Sequence, residues 1–160
     1  MRSFLFLFLV PFVILSCKSN DDDVTGDVTG DYLIFGHYYG FCQGEQCVET
    51  FKLTSDKLYE DSLDLYDKDE FRFYQLGNAI FDKVKDLKSQ IPEHLYQEKE
   101  QTFGCPDCTD GGGLFVQISK DGKIFTWRFD QFKENVPEYL HPFLDAINAK
   151  IALINAQGAE

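Results

Sequence analysis

Two mostly apolar segments separated by a short polar turn predict strands in the first part of the chain. Residues 32–41 are rich in aromatic and β-branched side chains, and residues 48–53 continue in the same style after a short polar turn. Two such segments joined by a turn are typical of a β-hairpin. Residues 57–60 are a candidate third strand, residues 61–69 are acidic and loop-like, and residues 70–75 fit a strand and a helix equally.

A helical pattern follows, and then a second hairpin. Asn78 is a suitable N-cap for a helix whose apolar residues recur at helical spacing, and Pro92 ends this helix or starts a short second turn. The apolar residues of that helix are Ile80, Phe81, Val84, Leu87 and Ile91. Segments 114–118 and 124–129 alternate on either side of an Asp-Gly pair, which is a strong hairpin-turn signal. Phe125, Trp127 and Phe129 share one side of the second segment, which we expect to face the core.

The last helix has the clearest pattern of the chain. Asn135 is the predicted N-cap, Pro137 lies in the first turn, and Glu138 stands three residues after the cap. An apolar stripe follows, formed by Val136, Leu140, Phe143, Ile147, Ile151 and Ile154. The predicted order is β-β-(β)-α-β-β-α. We expect an α+β fold with a small, mostly antiparallel sheet, built from two hairpins, and both helices on one face.

The N-terminus carries a different kind of hydrophobic segment. Residues 4–15 form an unbroken apolar run after Arg2, which is typical of a secretory signal. A membrane-spanning helix needs about 20 apolar residues, and this run is shorter. We therefore interpret residues 1–16 as a signal segment that directs export.

The residues at the end of this segment indicate what happens to it. Ile14, Leu15, Ser16 and Cys17 resemble the lipobox of bacterial lipoproteins. The resemblance implies cleavage before Cys17, a diacylglyceryl thioether on its sulfur, and acylation of the freed amine. Two or more acyl chains anchor a protein stably, whereas a single chain does not. An ordinary signal peptide is the alternative, although cleavage sites of that type favour an A-x-A-like pattern.

An acidic stretch separates this cysteine from the folded part. The sequence Lys-Ser-Asn-Asp-Asp-Asp of residues 18–23 resembles the export signal of surface lipoproteins in the Bacteroidota, which implies a lipid-anchored protein of the outer membrane, facing the cell surface or the periplasm. A plain acidic spacer is the alternative. The repeat D-V-T-G-D-V-T-G-D over residues 23–31 is too polar to build a core. We thus divide the chain into a signal (1–16), a lipidated linker (17–31) and a single domain (32–157).

The charge of the chain narrows the range of partners. The formal net charge is -12, with a sequence pI near 4.6. Such acidity repels phosphate backbones and anionic lipid headgroups. We therefore expect no nucleic-acid binding, and we expect the lipid on Cys17 to provide the attachment to the membrane.

Four cysteines remain in the predicted domain, and three interpretations of them compete. Cys42 and Cys47 flank the first hairpin turn, while Cys105 and Cys108 form the motif C-P-D-C. Disulfides come first for an exported protein, either within each pair or between the pairs. A zinc site comes second, because C-P-x-C resembles the metal knuckles of zinc ribbons and rubredoxins. Redox catalysis comes third, because a helix N-terminus that would lower the thiol pKa is not predicted after Cys108.

The remaining candidates for chemistry are sparse. Glu45, Asp107 and Asp110 are close in sequence to the cysteines and are candidate ligands for a cation or a polar molecule if the two loops meet. The three histidines, His37, His94 and His141, are scattered and match no catalytic motif. We expect no cofactor, and we expect a binding or structural role for a protein or small-molecule partner. The alternative is a hydrolase, redox or metal-binding protein with its site where the two cysteine loops converge.

Overall fold

The computed structural model describes residues 30–158. The signal segment, Cys17 and nearly all of the predicted linker lie outside this range. The strands are β1 (Tyr32–Tyr38), β2 (Val48–Leu53), β3 (Leu58–Asp61), β4 (Phe73–Gln75), β5 (Thr102–Phe103), β6 (Gly113–Lys120) and β7 (Lys123–Asp130). The helices are α1 (Asn78–Val84) and α2 (His141–Gly158), and short 3-10 turns cover Glu45–Cys47, Lys85–Gln90, Glu93–Gln97, Lys133–Asn135 and Glu138–Leu140.

The seven described strands form one sheet in the order β4-β3-β2-β1-β6-β7-β5. All neighbours are antiparallel except β5, which runs parallel to β7. Both predicted hairpins are present, with Phe35 opposite Phe51 in the first and Val116 opposite Trp127 in the second. The predicted α+β class is confirmed, and the candidate third strand is β3.

Strand β1 is buried on both faces of the sheet. On one face, Leu33 and Phe35 belong to the main core, which is covered by both helices. On the other face, Tyr32, Ile34 and Tyr38 belong to a second, smaller cluster. Residues 62–72, which connect β3 to β4 and which we call the strap, supply Phe71 to this second cluster. Gly36 is required within β1, because a Cβ there would collide with the Glu49 carbonyl oxygen of β2 and lie 2.9 Å from the Thr50 Cα.

The first helix is shorter than the sequence pattern predicts. It ends at Val84, and the chain tightens into a 3-10 turn over Lys85–Gln90. Residues three apart eclipse one another in a 3-10 helix. Val84 and Leu87 therefore both point into the core, where each is completely buried. The N-cap is Gly77, so the prediction of Asn78 as the cap was wrong.

The last helix begins five residues later than its capping pattern predicts. Asn135 does not cap it, because the Asn135 side chain donates a hydrogen bond to Asp130 Oδ2 at 2.7 Å. Two 3-10 turns precede α2, which starts at His141. The predicted apolar stripe is nevertheless buried in the main core.

Strand β5 was not predicted from the sequence. It contains two residues and runs beside the end of β7, where Phe103 stacks on Phe129 with ring centroids 5.3 Å apart. A strand this short carries too little alternation to be recognised.

The two ends of the sheet differ in their connections. The 39–47 loop, the strap and the 104–112 loop all leave the sheet at one end, which we call the loop end. The opposite end, the turn end, carries the tight turns at 54–57 and 121–122. The start of β1 is also at the turn end, where Asp31 Oδ1 accepts a hydrogen bond from the Asp121 amide at 3.0 Å. Within residues 30–158, no helix has the length and apolar character needed to cross a bilayer.

Candidate functional site

The three segments of the loop end meet at one carboxylate, that of Asp107. Its Oδ2 accepts hydrogen bonds from the Gly40 amide at 2.7 Å and from the Tyr66 hydroxyl at 2.8 Å. Its Oδ1 accepts one from the Gly112 amide at 3.0 Å. Because Gly40 follows β1 and Tyr66 lies in the strap, a single side chain joins the two cysteine loops to the strap.

The backbone around Asp107 is shaped for this role. Asp107 has a φ of 60°, in the left-handed region, which aspartate tolerates better than most residues. It lies inside a tight turn in which the Cys108 amide donates to the Cys105 carbonyl oxygen at 3.1 Å. A Cβ at Gly40 would come within 2.5 Å of Asp107 Oδ2. Glycine at position 40 thus allows the carboxylate to reach the backbone of the neighbouring loop.

Each cysteine pair forms its own disulfide. Cys42 bonds to Cys47 with the Cα atoms 5.6 Å apart, and Cys105 bonds to Cys108 with the Cα atoms 5.4 Å apart. This pairing agrees with the first of the three sequence interpretations and, within it, with bonds inside the pairs. Zinc binds thiolates, and a sulfur in a disulfide is not one. In the described part of the chain, no group of three or more His, Cys, Asp or Glu side chains is placed to hold a metal ion.

The surroundings of the Cys105–Cys108 disulfide do not suit thiol catalysis. The Cys105 amide donates to Asp130 Oδ2 at 3.0 Å. Burial acts to raise the pKa of Asp130, but hydrogen bonds from Phe132, Asn135 and Cys105 hold it below its ordinary value. A carboxylate that is charged at neutral pH and lies beside a cysteine disfavours the thiolate that disulfide exchange requires. The disulfide is therefore suited to holding the turn that carries Asp107.

The three acids predicted as ligands, Glu45, Asp107 and Asp110, lie in different environments. Asp107 is brought to the neighbouring cysteine loop, but its oxygens are used by the protein itself. Asp110 is exposed, with a left-handed φ of 54°. The backbone of Glu45 starts a 3-10 turn, and its side chain lies outside the described part of the structure. The two loops converge as the sequence hypothesis required, without a shared set of metal ligands.

The loop end exposes an unusual amount of apolar surface. Phe41 is 84% exposed, and Leu65, Tyr66 and Phe132 are between 40% and 45% exposed. They surround the Asp107 junction, because Phe41 follows Gly40 and the Phe132 ring packs against Gly111. Beside Phe41 lies an open depression of about 600 Å³, lined by Tyr39, Gln43, Gln46 and the Cys42–Cys47 disulfide, among others. Exposed aromatic side chains around a depression are typical of a binding surface.

A buried polar cluster lies beneath the strap. Lys68 is only 7% exposed, and its ammonium donates a hydrogen bond to Thr50 Oγ1 on β2. Arg128 of β7 donates to the Asp67 carbonyl oxygen at 2.9 Å. Asp61 is also buried, and among the described residues its Oδ2 has no hydrogen-bond partner. This cluster is not predictable from the sequence, since a lysine within an acidic run is ordinarily solvated.

Burial shifts the ionisation of the groups in and beside this cluster. It lowers the pKa of Lys68 to about 8, although Asp61 and Asp64 act in the opposite direction. Burial and the neighbouring Asp61 raise the pKa of Asp64 to about 6. Burial and the Asp107 carboxylate raise the pKa of Tyr66 to about 12, so its hydroxyl remains a donor at neutral pH.

His37 has a polar environment of its own on the helix-covered face. Its Nε2 lies 3.1 Å from Glu49 Oε2 and 2.9 Å from the Gln46 carbonyl oxygen. Glu49 also accepts a hydrogen bond from Asn155 of α2 at 2.8 Å. Among the described residues, no serine, threonine or free thiol is hydrogen-bonded to His37. His37 and Glu49 thus connect the sheet to α2. A histidine-activated hydrolase would need one of those nucleophiles beside the histidine.

Comparisons with known proteins add no name to this site. No family model matches the chain, and no curated protein was found to be similar to it.

We predict that Asp107→Asn loosens the loop end. Asparagine keeps the left-handed backbone but replaces one acceptor oxygen by a donor, so at least one of the three hydrogen bonds is lost. An unsatisfied polar group costs about 1–3 kcal/mol. Urea unfolding measures this loss, and hydrogen exchange at the Gly40 and Gly112 amides should accelerate. The matched control is Asp110→Asn, which should change neither; equal protection of both amides in the two variants would contradict the role of Asp107.

We predict that Asp64→Asn stabilises the fold increasingly as the pH rises. The folded-state pKa of about 6 lies above the ordinary value of 3.8, so the folded state holds the Asp64 proton more tightly than the unfolded state. The bound proton therefore stabilises the folded state fully below about pH 4, and this stabilisation is lost as the pH rises through about 6. The gap in unfolding free energy between the variant and the wild type should therefore widen between these values, by on the order of 1 kcal/mol or more.

The control for this pH series is again Asp110→Asn, the same substitution at another left-handed but exposed aspartate. Urea titrations at several pH values provide the measurement. A gap for Asp64→Asn that stays constant between pH 4 and pH 7 would show that folding does not raise the pKa of Asp64.

Proposed function

We propose that the chain is a lipid-anchored, extracytoplasmic binding protein of the bacterial outer membrane, and that the loop end is its binding face. The observation that carries this proposal is the position of the loop end. It lies at the opposite end of the sheet from Asp31, where the segment leading back to Cys17 joins the domain.

The length of the tether and of the sheet supports this arrangement. Residues 18–31 span at most about 45 Å when fully extended, at about 3.3 Å per residue. Strand β1 has seven residues and adds about 23 Å between the turn end and the loop end. With the anchor at Cys17, the turn end is the end of the domain nearer the attachment to the membrane. The loop end is the far end, where a partner has free access.

The rigidity of the loops also supports binding. Two disulfides and the Asp107 junction fix three loops that would otherwise have to be ordered when a partner binds. Preorganised loops avoid that entropic cost, so more of the contact energy contributes to affinity. Loops held in place by a scaffold are common sites of recognition.

The anchor has a direct test. In cells of a Gram-negative host fed an alkyne-labelled fatty acid, we expect the wild-type chain to carry the label and to fractionate with membranes. Cys17→Ser should abolish the label and release the chain from the membrane fraction, since no thioether can form. Cys108→Ser is a control that removes another cysteine but should keep the label. A labelled Cys17→Ser variant would contradict lipidation at this residue.

The binding face is tested by cross-linking in cells of the native organism. A photoreactive phenylalanine derivative is placed at Phe41, at the loop end, or at Ile124, near the turn end; these side chains are 84% and 63% exposed. We expect a discrete adduct from position 41 and none from position 124, because only the loop end meets the partner. Adducts of equal yield from both positions, or none from position 41, would argue against the loop end as the binding face.

A further inference from the structure

We propose that the partner of the loop end is a cationic polypeptide segment that carries an apolar side chain. This inference rests on the proposed binding function of the loop end and specifies the chemistry of the partner. It follows from two features that the loop end combines, unpaired exposed carboxylates and exposed apolar side chains.

The exposed acids of the loop end are unpaired. The strap and the 104–112 loop together contain six acidic and two basic residues. The carboxylates of Asp67, Asp69, Glu70 and Asp110 are exposed and make no hydrogen bond or ion pair with other described residues.

Three acids of the helices and 3-10 turns are paired with lysines, whereas Glu93, Glu134 and Glu138 of the other 3-10 turns are exposed and, like the loop-end acids, make no hydrogen bond or ion pair with other described residues. Asp82 pairs with Lys85, Asp86 with Lys150, and Asp145 with Lys133. Unpaired acids are thus not confined to the loop end, but there the four exposed carboxylates of the strap and the 104–112 loop are at the same end of the sheet as the exposed Phe41.

The cations near the loop end are mostly occupied by the protein. Lys68 is buried on Thr50, and Lys133 is held by Asp145. Arg128 donates to the strap backbone, and its guanidinium lies 5.7 Å from the centre of the Tyr38 ring. Arg72 is the exposed exception in the strap. The surface therefore presents a net negative field, which attracts lysine and arginine side chains and steers their approach.

The apolar part of the surface accounts for the second property of the partner. Phe41 projects into solvent beside the depression that Tyr39 and the Cys42–Cys47 disulfide help to line. An apolar side chain in this depression would contact the Phe41 and Tyr39 rings while flanking cations face the acids of the strap. A central apolar anchor with a charged rim is the usual arrangement of a protein interface.

The experiment measures binding of three labelled decapeptides to the full lipidated protein in phosphatidylcholine nanodiscs. One peptide combines lysine and phenylalanine, the second combines lysine and serine, and the third combines glutamate and phenylalanine; a neutral oligosaccharide is the fourth probe. We expect the lysine-phenylalanine peptide to bind best. Its affinity should fall steeply between about 0.1 M and about 1 M salt, where the Debye length shrinks from about 10 Å to about 3 Å. Hydrogen exchange should show protection in residues 39–47, 62–72 and 104–112.

Matched variants locate the charge effect. The loop-end variant D67N/D69N/E70Q/D110N and the control variant D56N/E93Q/E100Q/D121N, which changes four exposed acids outside the three loop-end segments, remove the same number of charges. We expect the first to weaken binding of the lysine-phenylalanine peptide about tenfold or more, and the second to change it much less. Phe41→Ser should also weaken binding by about tenfold, as expected for a central anchor.

The outcomes separate this inference from the function it rests on. Equal losses in the two charge variants, preference for the glutamate peptide, or binding of the neutral oligosaccharide alone would overturn the cationic partner. If cross-linking from Phe41 still yields its adduct in that case, the loop end remains the binding face for a partner of other chemistry. If position 41 yields no adduct, the binding face and the partner chemistry fall together.

Discussion

The burial of β1 on both faces is the constraint on which the rest of this structure depends. A central strand whose alternate residues all avoid water needs a cover on each side of the sheet. The helices cover one side with a large apolar core. Residues 30–158 contain no third α-helix for the other side. An eleven-residue irregular strap supplies the cover, and its Phe71 stacks on Phe73 of β4 with ring centroids 5.4 Å apart.

This cover has polar consequences that an apolar helix would not have. The strap passes its own backbone over the sheet and must satisfy it, which Arg128 does by donating to the Asp67 carbonyl oxygen. It also carries Lys68 into a buried position, where Thr50 is the one hydrogen-bond partner of the ammonium among the described residues. Burial lowers the pKa of Lys68, and the carboxylates of Asp61 and Asp64 oppose this lowering. The strap is held at its other side by the bond between Tyr66 and Asp107. The second face of the sheet and the loop end are therefore built by the same segment.

The parts of the fold that could be predicted from the sequence are those with local signals. The first hairpin follows from its aromatic and β-branched segments around a short polar turn, and the second from alternation around an Asp-Gly turn. Disulfides were the first interpretation of the cysteines, but the sequence left open whether they form within or between the pairs. The predicted start of α2 was wrong, because the Asn135 side chain hydrogen-bonds to Asp130 instead of capping the helix. The Asp107 junction could not be predicted, since it joins a side chain to a backbone amide 67 residues away. The sequence does not indicate which backbone amide a side chain will reach. Only the folded sheet shows that both cysteine loops are at the same end of the sheet.

The distribution of backbone strain separates the two ends of the molecule. Among the described residues, five that are not glycine have a left-handed φ: Asp64, Lys68, Asp107, Asp110 and Asp121. Asp121 belongs to the Asp-Gly hairpin turn, where this conformation is ordinary. The other four are all at the loop end, and Lys68 lacks the short polar side chain that makes the conformation tolerable. Strained backbone persists only where its surroundings enforce it. Here a disulfide encloses Asp107, while burial on Thr50 holds Lys68. A fold that needed these loops only as connections could have used relaxed turns like those of the opposite end, so the enforced geometry is itself an argument that the loop end has a task beyond closing the sheet.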